Sequence, residues 1–221
     1  MAVNEKAYKQ IVDELGDRIT LVAVSKTKPV EDILELYELG HRDFGENYVQ
    51  ELVDKADKLP KDIRWHFIGH LQTNKVKLIV PFIHLVHGVD SFKLLKEINK
   101  QGEKINKVVN CLLQIHIAQE ETKFGLDEKE LSEIVKSVSA LPLNNVNILG
   151  LMGMASFTEN MDKVRTEFNQ LKEIYKQLGT SKLKPQILSM GMSSDYKIAI
   201  EEGSNMVRIG SLLFGERNYI K

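Results

Sequence analysis

The sequence predicts a TIM barrel, a single (β/α)8 domain over residues 1–221. Short apolar runs alternate eight times with longer segments of helical periodicity, which is typical of parallel strands joined by helices. The runs are apolar on both faces, as in a sheet that helices cover. A length of 221 residues is near the lower end for this fold. A doubly wound open sheet is the alternative, but it usually has fewer strands and needs a glycine fingerprint that is absent after the first strand.

Strands are predicted at eight apolar runs, which are residues 20–25, 42–45, 63–69, 82–89, 108–117, 148–154, 187–189 and 206–209. Helical segments are predicted between them, at residues 29–39, 47–58, 75–78, 91–101, 127–138, 160–178, 194–201 and 212–215. Several helix ends carry a recognisable signal. Pro29 suits the first helical position, Ser91 suits an N-cap, and Gly102 suits a helix end. Asp127 and Glu130 have the spacing of a capping box.

Composition excludes several classes of function. The chain has 43% hydrophobic residues, enough for one sizeable core, and a net charge of −1 that does not favour nucleic acid or an anionic membrane as a partner. The single cysteine, Cys111, lies in an apolar run, so an internal disulfide is impossible and packing is its expected role. Apolar stretches are too short to span a membrane, and the first residues lack a signal-peptide pattern. We therefore expect a soluble, cytoplasmic protein.

Lys26 is the strongest candidate for chemistry. It lies at the end of the first apolar run, where a lysine is partly desolvated. Desolvation favours the neutral amine, which is the form that makes Schiff bases with carbonyl groups. On this segment alone, a lysine that extends its charged end to the surface is the simpler interpretation. The rest of the chain reverses that preference.

Two short turns rich in glycine and serine follow the last two strands. Residues 189–194 read Ser-Met-Gly-Met-Ser-Ser, and residues 208–211 read Arg-Ile-Gly-Ser. Such turns bring backbone N–H groups and hydroxyls close to an oxyanion, and barrels often bind phosphate after strands seven and eight. Each turn alone suits an ordinary loop, but the pair favours phosphate binding. A lysine after strand one would be their neighbour in a closed barrel, which suits a phosphorylated aldehyde such as pyridoxal phosphate.

Six segments resemble the pyridoxal phosphate homeostasis protein family, also called the proline synthase co-transcribed homologue family. The resemblance covers almost the whole chain, and its tryptophan–histidine segment, residues 65–75, is the most specific. The other segments are residues 23–29, 44–51, 150–152, 188–193 and 206–210. The family is similar in fold to the barrel domain of alanine racemase, without the second domain of that enzyme.

The resemblance implies a set of cofactor-binding residues for pyridoxal 5′-phosphate. Lys26 matches the lysine that forms the Schiff base, and Asn47 matches a residue that lines the pocket. Ser189, Gly210 and Ser211 match the phosphate contacts, and Arg208 matches the arginine that faces the pyridine nitrogen. Members of the family are expected to bind the cofactor and deliver it to apo-enzymes that depend on it, and to affect amino-acid and keto-acid balance. Loss of the racemase's second domain suggests a monomer.

The chain departs from the family at two places. The segment before the first strand is short, so we expect a truncated N-terminal helix. His70 stands where many relatives have another residue, and it receives no role. Lys123 resembles a lysine associated with a second cofactor site or with release, although a surface lysine is the simpler interpretation.

Binding is favoured over catalysis, although a racemase or lyase stays open. An arginine cannot keep the pyridine nitrogen protonated, which weakens the cofactor as an electron sink, but racemases tolerate this. A racemase also needs a second acid–base group. Tyr48, Tyr196 and Tyr219 are candidates, but packing or surface roles suit each of them better.

The histidines are not expected to bind metal. His66 and His70 are four residues apart, too far along a strand for one ion, and His84 and His87 should point to opposite faces. His66 either lines the pocket or is a satisfied core histidine. Three hypotheses remain: a pyridoxal phosphate carrier, a small pyridoxal-dependent racemase or lyase, and a Schiff-base aldolase or sugar-phosphate enzyme that uses Lys26 without a cofactor.

Overall fold

The chain folds into a closed barrel of parallel strands, as predicted. The computed structural model describes residues 3–118, 124–141, 143–179, 181 and 183–215. Within these residues, eight strands pair in chain order, and the first pairs with the eighth to close the sheet. The strands are β1 (Thr20–Val24), β2 (Asp43–Glu46), β3 (Arg64–Phe67), β4 (Leu85–Val89), β5 (Val109–Ile115), β6 (Val146–Gly153), β7 (Ile187–Ser189) and β8 (Met206–Ile209).

One helix precedes the first strand, and one helix follows each strand around the outside of the barrel. They are α1 (Glu5–Leu15), α2 (Val30–Glu38), α3 (Val49–Lys58), α4 (Val76–Ile79), α5 (Phe92–Lys104), α6 (Glu128–Ala140), α7 (Met161–Gly179), α8 (Tyr196–Glu201) and α9 (Ser211–Phe214). Single 3₁₀ turns at residues 16–18 and 73–75 precede β1 and α4. The predicted ranges of β7 and β8 match the observed strands, and most other ends differ by one to three residues.

The structure contains the helix caps predicted at Ser91 and Asp127. Ser91 accepts a hydrogen bond from the backbone N–H of Leu94, and Asp127 with Glu130 forms the complete capping box. Gly102 was expected to end α5, but it lies inside the helix, which continues to Lys104. A Cβ at Gly102 would lie 2.6 Å from the Lys107 carbonyl oxygen, so this glycine serves close packing rather than termination.

An eleven-residue helix precedes the barrel, although the sequence suggested truncation there. The side chain of Asn4 caps α1 by accepting from the backbone N–H of Ala7. Tyr8, Ile11 and Leu15 bury one face of this helix against the barrel core. The short leading segment therefore still forms a packed helix.

Alternation along the strands creates two apolar clusters. Leu21, Ala23 and many other strand residues pack with the helices in the large outer cluster. A smaller cluster contains the alternate strand positions, namely Val22, Leu85, Leu112, Met152 and Met206. Because successive strand side chains point to opposite faces, this second cluster fills the inside of the barrel. It leaves room there for several polar side chains.

Two further observations concern the described part of the chain. None of its helices is both long enough and apolar enough to cross a membrane. Cys111 is fully buried on β5, and burial raises the pKa of its thiol. Its environment agrees with the packing role that the sequence suggested.

Candidate functional site

A pocket of about 360 Å³ lies at the carboxyl ends of the strands, where barrel enzymes and binding proteins place their ligands. It is lined by residues of β1 and β8 and by residues of the segments that follow β1, β2, β3, β6, β7 and β8. Five of the six predicted site residues line it, namely Lys26, Asn47, Arg208, Gly210 and Ser211. Ser193, Ser194, Lys28 and the apolar side chains of Val24, Ile68, Met154, Phe157 and Met192 also contribute.

Lys26 lies half-buried in a tight turn directly after β1. Ser25, which precedes it, donates its backbone N–H to the Gly45 carbonyl at 3.0 Å, so the strand pairing extends to the start of the turn. Thr27, which follows it, has a φ of 63°, an uncommon value for a β-branched residue. The Thr27 N–H donates to the Glu51 carboxylate at 2.6 Å. The turn that carries Lys26 is therefore anchored on both sides.

A buried ion-pair network supports this turn from below. The ammonium of Lys55, on α3, donates to Glu46 Oε1 at 2.8 Å, to Glu51 Oε1 at 2.7 Å and to the Ser25 carbonyl at 2.8 Å. The Ser25 hydroxyl also donates to Glu46 Oε1, at 2.6 Å. One cation thus ties β2, α3 and the turn of Lys26 together. We call Lys55, Glu46, Glu51 and Ser25 the turn network.

Glu46 is the most deeply buried charged member of the turn network. Its side chain is fully buried, and Oε2 has no hydrogen-bond partner among the described residues. Desolvation raises the pKa of Glu46 to about 6, although Lys55 and Ser25 act in the opposite direction. A carboxylate as deeply buried as that of Glu46 depends on its cation, because an unpaired buried charge is costly.

Asn47 follows β2 and lines the pocket, and the oxygen of its side-chain amide is buried. Its Oδ1 is the other buried side-chain atom without a partner in the described part of the chain. Gly69, after β3, packs directly on the Asn47 backbone: a Cβ at Gly69 would lie 2.2 Å from the Asn47 carbonyl oxygen. A buried acceptor without a donor is costly in a finished protein, and it is explained when a ligand supplies the missing hydrogen bond.

The turns after β7 and β8 are joined on the opposite side of the pocket. The backbone N–H of Gly210 donates to the Ser193 hydroxyl at 3.3 Å, and Ser211 begins α9 beside it. Gly191, with a φ of 97°, permits the chain reversal that places Ser193 and Ser194 at the pocket wall. Hydroxyls and backbone N–H groups from both turns therefore meet on one wall, as the sequence suggested.

Ser189 is the one predicted site residue that does not line the pocket. Its side chain is fully buried at the end of β7, beneath the pocket, and it does not belong to the pocket lining. Its hydroxyl accepts a hydrogen bond of 2.6 Å from Arg208 Nη1, so it contacts the arginine rather than the phosphate wall. The serines at the wall are Ser193 and Ser194, four and five residues later in the same predicted phosphate turn, and they were not among the six named site residues. Only the turn geometry separates these serines, since all three are small hydroxyl residues in one segment.

Arg208 forms the floor of the pocket. Arg208 is 4% exposed, and its Nη2 donates to the Gly153 carbonyl at 3.0 Å. Burial lowers the pKa of Arg208 to about 10, while Asp195 acts to raise it. The guanidinium therefore stays charged at neutral pH and presents a fixed positive group to the pocket.

Other candidates of the sequence analysis lie outside the pocket lining. His70 pairs with Asp90 at 2.9 Å and stacks on Phe124, away from Lys26. Tyr48 is exposed, and the hydroxyl of Tyr196 donates to Glu14 on α1 at 3.0 Å. Lys123 and Tyr219 are outside the described residues.

Three strands bring together a group that sequence reasoning missed. Asp43, His66 and His84 place carboxylate and imidazole atoms within 4.8 Å of one another. Arg64 donates to both carboxylate oxygens of Asp43, and His66 Nε2 lies 3.0 Å from Asp43 Oδ1. Asp43 and His66 thus take part in hydrogen bonds and ion pairs, whereas His84 packs on the His66 ring. Spacing within single segments could not reveal it, because each member comes from a different part of the chain. Of the two roles considered for His66, the structure selects the satisfied core histidine.

The residues of the pocket fit pyridoxal phosphate. Hydroxyl and backbone donors on the β7–β8 side suit a phosphate, and Lys26, which follows the neighbouring strand β1, suits an aldehyde. The unpartnered Oδ1 of Asn47 suits a ligand hydroxyl, and the pocket volume lies in the range of small-molecule sites. The donors and acceptors of the pocket are therefore complementary to the phosphate, the aldehyde and the ring hydroxyl of this cofactor.

Comparisons with known proteins agree with the fold and with the resemblance found in the sequence. A family model described as the alanine racemase N-terminal domain matches residues 3–218. The pyridoxal phosphate homeostasis protein of Aquifex aeolicus is 44% identical over 201 residues, which cover 90% of this chain and 87% of that protein. The human protein of the same name is 39% identical over 238 residues, which cover 100% of this chain and 86% of that protein.

Solved structures support the same grouping. PipY of Synechococcus elongatus, determined with pyridoxal phosphate bound, is 32% identical and superimposes with a TM-score of 0.88 over 95% of this chain and 99% of that one. An alanine racemase of Clostridium difficile is 14% identical, with a TM-score of 0.75 over 98% of this chain and 57% of the enzyme. At that identity the likeness concerns the fold alone.

Proposed function

This chain belongs to the pyridoxal phosphate homeostasis protein family, and on that premise we propose that it binds pyridoxal 5′-phosphate, stores it and delivers it within the cell. The observation that carries the proposal is the meeting of Lys26 and Arg208 with two serine–glycine turns around one pocket. These groups come from opposite ends of the sequence, and they meet at this pocket.

Each residue has a distinct part in the proposal. Lys26 is the residue that holds the cofactor covalently as a Schiff base, because it lines the pocket from an anchored turn. Ser193, Ser194, Gly210 and Ser211 receive the phosphate. Ser193 and Ser194 replace Ser189 in this role. When bound, pyridoxal phosphate supplies an aldehyde that condenses with an amine, with the loss of one water molecule.

Asn47 and Arg208 orient the ring. Asn47 accepts a hydrogen bond from the ring hydroxyl through its buried Oδ1. Arg208 approaches the pyridine nitrogen as a permanent donor. Because an arginine does not release its proton to that nitrogen, the site favours retention of the cofactor over its use as an electron sink.

The pocket chemistry supports a carrier rather than a racemase or lyase. Among the described residues that line the pocket, the titratable side chains are Lys26, Lys28 and Arg208, with no tyrosine, histidine or carboxylate. Lys28 donates to the Phe214 carbonyl at 2.5 Å and thereby ties the end of α9 to the pocket rim. Delivery to apo-enzymes, a monomeric state and a cytoplasmic location belong to the same proposal.

The first experiment is a visible absorption spectrum of the purified protein, before and after borohydride. We expect a cofactor band that borohydride abolishes, and a permanent mass increase on the peptide that contains Lys26. Lys28→Ala is the matched control, since Lys28 lines the same pocket two residues later. The Lys28→Ala protein should keep the band, and the Lys26→Ala protein should lose it.

Either of two results would contradict the binding proposal. One is a protein that stays colourless with added pyridoxal phosphate, and the other is a band that survives in Lys26→Ala. Delivery is tested separately by mixing the loaded protein with an apo-enzyme that requires the cofactor. Recovery of that enzyme's activity, without turnover of amino acids by the loaded protein alone, distinguishes a carrier from a racemase or lyase.

A further inference from the structure

A continuous row of hydrogen bonds crosses the inside of the barrel below the pocket. Arg208 Nη1 donates to Ser189 Oγ at 2.6 Å, and that hydroxyl lies 3.4 Å from His87 Nδ1. His87 Nε2 lies 2.9 Å from His66 Nδ1, and His66 Nε2 lies 3.0 Å from Asp43 Oδ1. We call Ser189, His87, His66 and Asp43 the core relay.

The core relay is enclosed by apolar side chains and comes from four different strands. Ser189, His87 and His66 are at most 1% exposed, and Asp43 is 9% exposed. The apolar inner cluster shares the barrel interior with them. In such surroundings an imidazole nitrogen without a partner is costly, so every ring nitrogen needs its hydrogen bond. Both nitrogens of both rings have one.

The two ends of the core relay determine where its protons lie. Arg208 can only donate, and the ionised carboxylate of Asp43 can only accept. Burial acts to raise the pKa of Asp43, but hydrogen bonds from Arg64 and His66 hold it below its usual range. A neutral His66 ring therefore carries its proton on Nε2, which leaves its Nδ1 as the acceptor. His87 then carries its proton on Nε2, and its Nδ1 accepts from the Ser189 hydroxyl.

Burial and neighbouring charges keep the His87 ring neutral. Burial, with help from nearby His66 and Arg208, holds the pKa of His87 well below its usual range. Arg208 places a positive charge at the His87 end of the core relay, which disfavours an imidazolium there. His41 contacts the Asp43 carbonyl at 2.8 Å through Nε2, and His84 packs on the His66 ring. Burial lowers the pKa of both of these outer histidines as well.

We propose that the core relay positions Arg208, so that the guanidinium at the pocket floor is held from the opposite end of the barrel by one proton-ordered row of hydrogen bonds. Ser189 is the direct positioning residue, and His87 and His66 act through it. A Ser189 hydroxyl whose hydrogen points to His87 must offer its lone pairs to Arg208, which fixes the direction of that contact. The effect on cofactor binding rests on the proposed function, whereas the proton order does not.

The proton order is tested on the wild-type protein without cofactor. Two-dimensional ¹H–¹⁵N spectra of the histidine rings, recorded at about pH 8 where free imidazole is neutral, report which nitrogen carries the proton. We expect the Nε2–H form for both His66 and His87. A proton on Nδ1 of either ring would overturn the proposal. The outcome is independent of whether the protein binds pyridoxal phosphate.

The positioning role is tested with Ser189→Ala and Ser189→Thr. Removing one hydrogen bond to a buried charged group should shift the Arg208 side-chain N–H signals and weaken pyridoxal phosphate binding about tenfold or more, while threonine, which keeps the hydroxyl, should retain most of both. Ser139→Ala, on the exposed side of α6, is the control. Unchanged Arg208 signals in Ser189→Ala would contradict the positioning role, even if the protein bound no cofactor at all.

Discussion

Removal of the Lys55 ammonium should expose how strongly the turn network depends on one cation. Lys55→Met leaves the fully buried carboxylate of Glu46 with a hydrogen bond from Ser25 and without its counterion. Loss of one partner of a buried ion pair costs about 3–5 kcal/mol of unfolding free energy. The turn of Lys26 should loosen as well, because the Ser25 carbonyl loses its ammonium donor.

The effect of Lys55→Met on the free energy of unfolding should depend on pH. The pKa of Glu46 is raised to about 6 from 4.5, so the folded state binds the proton more tightly than the unfolded state. The resulting contribution to stability is present below pH 4.5 and is lost as the pH rises through 6, a difference of about 2 kcal/mol. Without Lys55 the pKa should rise further, so Lys55→Met should be less destabilising in acid, where Glu46 is neutral.

Urea unfolding of both proteins at about pH 5 and about pH 8 measures this difference. Lys58→Met, at an exposed position on α3, is the matched control and should change the free energy of unfolding by about 0.5 kcal/mol or less. A cost for Lys55→Met that is below about 1 kcal/mol, or equal at the two pH values, would refute the reasoning.

Three other predictions follow from single contacts. Burial lowers the pKa of His41 from 6.5 to about 4, so its contribution to the free energy of unfolding is present above pH 6.5 and is lost as the pH falls through 4. The contribution is about 3 kcal/mol, and the free energy of unfolding of His41→Phe in urea should fall by that much less in acid. Gly69→Ala should weaken pyridoxal phosphate binding at least tenfold, because the added Cβ displaces Asn47. Gly179→Ala, which has open space around it, should leave the affinity unchanged. Equal affinities of the two variants in a spectroscopic titration would contradict this prediction. Asp127→Ala removes the capping box of α6 and should lower the free energy of urea unfolding by about 1 kcal/mol, with no effect on binding; an unchanged midpoint would show that the cap is dispensable.

Sequence alone determined the features that depend on local pattern. The alternation of apolar runs and helical segments predicted eight strands and the closed barrel, and β7 and β8 were placed at their observed bounds. Lys26 and the turn after β8 were selected because a strand-end lysine and a glycine–serine turn have recognisable local chemistry. Gly102 was misjudged, since a glycine inside a helix and one at its end look alike without knowledge of what packs against it.

Tertiary structure alone decided the features that join distant segments. It separated Ser189 beneath the pocket from Ser193 and Ser194 at its wall, which depends on side-chain direction at the end of a strand. It assembled the turn network and the core relay, whose directly bonded pairs are between 4 and 102 residues apart. Spacing along a chain cannot encode such contacts, because barrel closure and the register of neighbouring strands determine which side chains meet inside the sheet.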